Sequence, residues 1–142
     1  MKSEKAIEII HKQEPMDRKV INRVKKALAS KGVDLLQSEE YDNWLIKQRA
    51  EAITYLSGTI ILMHTKVSAS GFFEELIHYG QIKSGRVQEG KRENHLLMEI
   101  EAKERVIKHR KSYQVTDYEI ENLTEILDCY KIELEKLREE GD

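Results

Sequence analysis

The chain has 142 residues, 39% of them hydrophobic and 35% charged, with a formal net charge of -2. That length fits one domain, since a chain of this size buries roughly 70% of its unfolded-state surface. The charge balance lacks the basic excess of a dedicated nucleic-acid binder, and a lone cysteine, Cys129, rules out an internal disulfide or a cysteine-rich zinc site.

Residues from about Ser3 to Gln13 set Ala6, Ile7, Ile9 and Ile10 among charges and read as a short helix. Pro15 interrupts it and is expected to open the next helix, whose Val20, Ile21, Val24, Ala27 and Leu28 recur at three- and four-residue spacing until Gly32 stops it. A short strand is expected at Val33 to Leu36. Tyr41 to Tyr55 mixes helical spacing with polar residues. The clearest strand is Gly58 to Met63, apolar and β-branched. A small-residue link, Val67 to Gly71, leads to a helix over Phe72 to Lys83, with Ser70 as its expected cap. Ser84 to Arg92 reads as a polar loop and Asn94 to Lys111 as a helix. Thr116-Asp117-Tyr118-Glu119 has the capping-box form. It opens a last helix whose stripe is Ile120, Leu123, Leu127, Tyr130, Leu134 and Leu137. The expectation is a single α+β domain over residues 1–142, with N-terminal helices to residue 31 and a core from residue 32.

The chemically pointed segment is Glu74-Glu75-Leu76-Ile77-His78. Helix geometry turns about 100° per residue, so Glu74, His78 and Gln81 share one polar stripe, with Glu75 at its margin. In a His-Glu-x-x-His helix the two histidines hold zinc, and the Glu is general base toward the water that the metal activates. Here Glu74 stands at the first histidine's position, and a carboxylate is also a zinc ligand. An anionic ligand weakens the metal's pull on water and widens the list of suitable ions. An ordinary amphipathic helix with a solvated polar stripe would carry the same letters.

A third ligand is expected from the helix downstream. Glu99 and Glu101 lie about 200° apart on it and cannot both face one ion. The apolar arc is Leu96, Ile100, Ala102, Val106 and Ile107. Glu99 falls inside that arc, where a carboxylate needs a partner such as a metal or His78. Glu99 is therefore the expected ligand and Glu101 the alternate. A plain Glu99–Lys103 ion pair would be the bland outcome.

With these pieces in order, the chain resembles the small zincin-like metallopeptidase domains of bacterial polymorphic toxins and related phage or prophage proteins. The resemblance runs from about Gly32 to Tyr130. It rests on Ala52-Ile53-Thr54, the strand Gly58 to Met63, the block Phe73 to Gln81 and Glu99-Ile100-Glu101-Ala102. It implies a mostly helical α+β fold with a small sheet or hairpin packed on the active-site helix. It implies Glu75 as general base, Glu74, His78 and Glu99 as ligands of one divalent ion, zinc first, and a peptide or protein substrate. The strand before the helix would be the edge on which that substrate lies.

Two other functions remain open. Glu8-Ile9-Ile10-His11 repeats the Glu-x-x-His spacing, and with Glu99 and Glu125 it suggests a di-iron carboxylate bundle. A non-catalytic interaction protein on a degenerate zincin scaffold is the other, with the last helix's stripe serving a homodimer as well as a core. His64, at the strand end, is a candidate extra ligand or transition-state donor. Tyr79, Tyr113 and Tyr130 are unranked candidates for oxyanion stabilisation. His109 sits in a basic run suited to a helix C-terminus. Trp44 is expected to anchor packing, and Cys129 to be buried. No apolar run approaches the roughly 20 residues of a membrane span. The N-terminus Met1 to Lys5 lacks a signal-peptide core, so a cytoplasmic protein with no membrane partner is expected.

Overall fold

The computed structural model describes residues 15–55, 57–85 and 91–140. The expected helix at Ser3 to Gln13, and with it Glu8 and His11, lies outside these residues. Among those described, helix α1 spans Arg18–Ala29, strand β1 Asp34–Leu36, helix α2 Glu39–Lys47, strand β2 Ala52–Thr54 and strand β3 Ile60–Met63. Helices α3, α4 and α5 follow at Ala69–Lys83, Arg92–Lys108 and Asp117–Glu140. The architecture is α+β, mostly helical with one small sheet.

Asp17, not Pro15, starts α1: its carboxylate accepts from Lys19 N at 2.9 Å. Pro15 instead forms an isolated antiparallel bridge with Ser68. The chain then leaves α1 through Gly32 at φ +78°, a left-handed turn that favours glycine. The Tyr41–Tyr55 stretch resolves into α2, capped by Ser38, and the short strand β2.

The sheet order is β1-β3-β2, parallel between β1 and β3 and antiparallel between β3 and β2. Thus β3 is the central strand, paired on both sides, and cannot offer a free edge to a substrate. That expectation is corrected: β2 is the edge strand on the side of α3. Apolar alternation explains the centre, for Ile61 and Met63 join Val33, Leu35, Val67, Phe72 and α1's Ile21 and Leu28 in one core.

Helix α3 is the hub. Phe72 packs it on the sheet, while Ile77 faces Ala102, Val106 and Leu123 of α4 and α5. The stripe of the last helix is used within the chain, Leu127 and Leu134 packing with Leu96 and Ile100 of α4. At its start the capping box forms as expected: Glu119 N donates to Thr116 Oγ1 at 3.2 Å, and Thr116 N donates to Glu119 Oε2 at 2.8 Å. Cys129 is exposed, because the buried stripe passes to one side of it, and Trp44 is 39% exposed, a surface residue more than an anchor. Among the described residues no helix is long and apolar enough to cross a membrane.

Candidate metal centre

Ser68 caps α3, so the helix begins earlier than its letters suggest. The Ser68 hydroxyl accepts from Gly71 N at 3.1 Å and the helix starts at Ala69. Ser70, the expected cap, has another use: its N–H and hydroxyl both donate to Glu119 Oε1, at 3.1 and 3.0 Å.

Two turns further along, Glu74 and His78 stack on one face, and α4 brings Glu99 opposite them. One ligand atom from each of Glu74, His78 and Glu99 lies within 4.8 Å of the others. His78 Nε2 is 3.2 Å from Glu99 Oε1 and 3.9 Å from Glu74 Oε1. This group could hold a metal ion, and its donor types, two carboxylates and one imidazole, fit a divalent cation.

The histidine ring is held from behind. Gln81 Nε2 donates to Met98 O at 3.1 Å and to Glu101 Oε1 at 3.2 Å, which turns its Oε1 toward His78 Nδ1 at 2.8 Å. Nδ1 therefore carries the hydrogen, and Nε2 is the atom presented to the two carboxylates. That outer contact is the kind that orients metal-bound histidines. It also separates the two downstream carboxylates: Glu99 faces His78 and Glu101 holds the amide behind it.

Lys103 was legible in the sequence only as a surface pair for Glu99. Its residue exposure is 5%, and its ammonium bridges Glu74 Oε1 at 2.5 Å and Glu99 Oε2 at 2.8 Å, above the Tyr130 ring. Burial alone would lower the lysine pKa, but the charges and hydrogen bonds of Glu74 and Glu99 hold it above the usual range. Burial would likewise lower His78, yet the Glu99 hydrogen bond and the charges of Glu99, Glu75 and Glu74 carry it up to about 9. Glu99 is pushed up by burial and pulled down further by His78 and Lys103, to about 2. In the metal-free site, then, an ammonium and an imidazolium together neutralise the two carboxylates.

Glu75 is 9% exposed, and its pKa is raised, chiefly by burial. Beside it the buried Thr54 hydroxyl of β2 has no partner meeting hydrogen-bond geometry among the described residues; it comes near Glu75 without reaching a formed bond. Glu75, Glu74, His78 and Glu99 line one open cavity of about 950 Å³, together with the residues of β2 and Tyr130. Of the three tyrosine candidates, Tyr130 reaches this cavity. Tyr113 is stacked on Phe73 with ring centroids 3.9 Å apart, and Tyr79 packs against the sheet core.

His64 is not part of the site. Its Nδ1 accepts from Lys66 N at 3.0 Å and lies 3.8 Å from Asp42, so it shapes the turn after β3. Glu125 does not belong to the three-residue group, and among the described residues no second such group supports a two-metal centre. Glu51, which no sequence pattern marked, also lines the cavity. Its Oε1 accepts from Ser68 N and Ser68 Oγ, both at 2.8 Å. Gly71 makes this approach feasible, since a Cβ there would meet Glu51 Cδ at 2.4 Å. No family model, no curated protein and no solved structure matches the chain.

Proposed function

We propose that the chain is a metal-dependent, peptidase-like protein in which Glu74, His78 and Glu99 hold one divalent ion. The observation that carries this reading is the convergence of three ligand atoms within 4.8 Å on a histidine already oriented by Gln81. Zinc suits the mixed nitrogen and oxygen set, and the second carboxylate extends the range toward manganese. When bound, the ion supplies Lewis-acid polarisation of the scissile carbonyl and of the attacking water.

The remaining work falls to the chain's own residues. Glu75 is buried and held toward its protonated form, so a carboxylate there is a stronger base than one in water. It accepts the water's proton and passes it to the departing amine nitrogen. The edge strand β2 runs along the cavity and suits an extended peptide, whose main chain would add to the sheet. Tyr130, which also lines the cavity, would be the hydroxyl for the carbonyl oxygen.

A second reading has its own observation. Lys103 already bridges Glu74 and Glu99, and with His78 protonated the group is neutral without an ion. On that reading the chain is a non-catalytic interaction protein that keeps a zincin-like scaffold.

Elemental analysis after zinc loading separates the two. The peptidase reading expects one ion per chain in the wild type, its loss in His78→Ala, and its retention in Glu75→Gln with hydrolysis of a quenched peptide abolished. Protein that stays metal-free at every zinc concentration overturns it and leaves the Lys103-neutralised scaffold standing.

A further inference from the structure

The cavity contains a partly buried carboxylate that the proposed hydrolysis does not use. Glu51 lies against Gly71, four residues before Glu75 on α3, which is about 6 Å along the helix axis. One of its oxygens is saturated by Ser68. The other has no hydrogen bond or ion pair among the described residues. Of the cavity's basic side chains, Arg49, Lys91 and Arg92 are exposed and His78 is held by Glu99. The charges that Glu51 does feel, Glu74 and Glu119, are both negative. A second polar group on the cavity wall is short of a partner. Thr54 Oγ1, on β2, is buried without a partner meeting hydrogen-bond geometry among the described residues, and Glu75, which it faces, is nine-tenths buried.

We infer that Glu51 anchors the α-ammonium group of a peptide, so that the cavity takes the free amino end of a chain. Where this peptide is cut rests on the peptidase reading; the amine anchor itself does not. An extended peptide advances at most about 3.3–3.6 Å per residue. An ammonium at Glu51 therefore sets the first or second peptide bond opposite Glu75. Hydrolysis there breaks that C–N bond, with the water oxygen joining the carbonyl carbon and the proton passing through Glu75 to the leaving nitrogen. A blocked amino end would set an uncharged amide against a partly buried carboxylate, with no new cation to compensate it. A lysine side chain offers the same ammonium but holds it on a flexible four-carbon stem, off the peptide's axis. The spacing along α3 favours the main-chain amine.

The test is calorimetric binding to the full chain, metal-free and zinc-loaded, at a pH of about 7, where a peptide amine is largely protonated. The probes are trialanine amide, N-acetyl-trialanine amide and N-acetyl-Lys-Ala-Ala amide. The free-amino peptide is expected to bind about tenfold or more tighter than either acetylated one, as loss of a charge-assisted hydrogen bond requires. Glu51→Gln, checked for folding by circular dichroism, is expected to erase the difference. The wild-type comparison needs no variant. Equal binding of free and acetylated peptides, tight binding of the acetylated lysine peptide, or no binding at all overturns the anchor. Amine-selective binding without hydrolysis on zinc loading overturns the peptidase reading and leaves the anchor. Hydrolysis of free and acetylated peptides at equal rates does the reverse.

Discussion

Replacing Lys103 by methionine keeps the length of the buried stem and deletes the ammonium. The lysine side chain is 6% exposed, and the Glu74 and Glu99 side chains it bridges are 17% and 18% exposed. Removing one partner of a buried ion pair costs about 3–5 kcal/mol. The lower end applies here, because the carboxylates retain some solvent and Glu99 keeps His78, so about 3 kcal/mol is expected. At roughly 3–4 °C per kcal/mol for a domain of this size, the metal-free variant should melt about 10 °C below wild type. Zinc should then act in the opposite sense. Two carboxylates relieved of their ammonium bind the ion more tightly, and each tenfold gain in affinity adds about 1.4 kcal/mol to the stabilisation by excess zinc. The zinc-induced rise in melting temperature should therefore be larger in Lys103→Met than in wild type by several degrees. Thermal melts followed by circular dichroism, in chelator and in excess zinc, measure both quantities. A variant that melts within a degree of wild type in chelator, or that gains no more from zinc, refutes the assignment of Lys103 as the ion's substitute.

Replacing Gln81 by leucine removes the acceptor of His78 Nδ1 and should weaken zinc binding about 10–100-fold, read by competition with a chelating dye; unchanged affinity would show that the ring needs no support. In the metal-free protein, His78 rises from 6.5 to about 9, so its contribution to stability is full below pH 6.5 and disappears as pH climbs to 9. Urea midpoints should fall across that interval in wild type and flatten in His78→Gln. Glu51, lifted from 4.5 to about 7 mainly by burial, ionises later in the folded chain than in the unfolded one, so it erodes stability as pH rises from 4.5 to 7. Glu51→Gln should consequently be more stable than wild type at pH 8, by about 3 kcal/mol at most; a loss at that pH contradicts the burial assigned to the carboxylate. Glu119→Ala leaves Ser70 and Thr116 donors unmet in a site 2% exposed and should cost about 3 kcal/mol. Chemical denaturation checks it, and a cost under about 1 kcal/mol would mean that water replaces the carboxylate.

The helical periods were readable because they repeat. Glu74 and His78 four apart, Glu99 on an apolar arc, and the Thr116–Glu119 capping box are all local patterns, and each has its expected partner in the fold. What escaped depends on contacts between distant segments. The three residues of β2 are too few to display alternation, and the end of α2 before them carries no stop signal. Its left-handed residue is Arg49, at φ 60°, where glycine or asparagine would have marked the boundary. The edge was assigned to the wrong strand for the same reason, since β3 has the stronger apolar run because it is central. Lys103 looked like a solvated charge four residues from Glu99. Only the approach of α3, bringing Glu74, makes burying it tolerable. Glu51 needed Gly71 twenty residues away to become a wall of the cavity.

Glu119 gives one carboxylate oxygen to the entry turn of α3 and the other to the entry turn of α5, 49 residues later. The helix bearing Glu74 and His78 thus has its first turn completed by a side chain that leaves the ribosome well after it. A nascent or truncated chain ending before α5 would hold Glu74 and His78 on a helix that keeps its Ser68 cap but lacks the carboxylate for Ser70. If the group binds an ion as proposed, full affinity should accordingly follow, and not precede, the docking of the C-terminal helix.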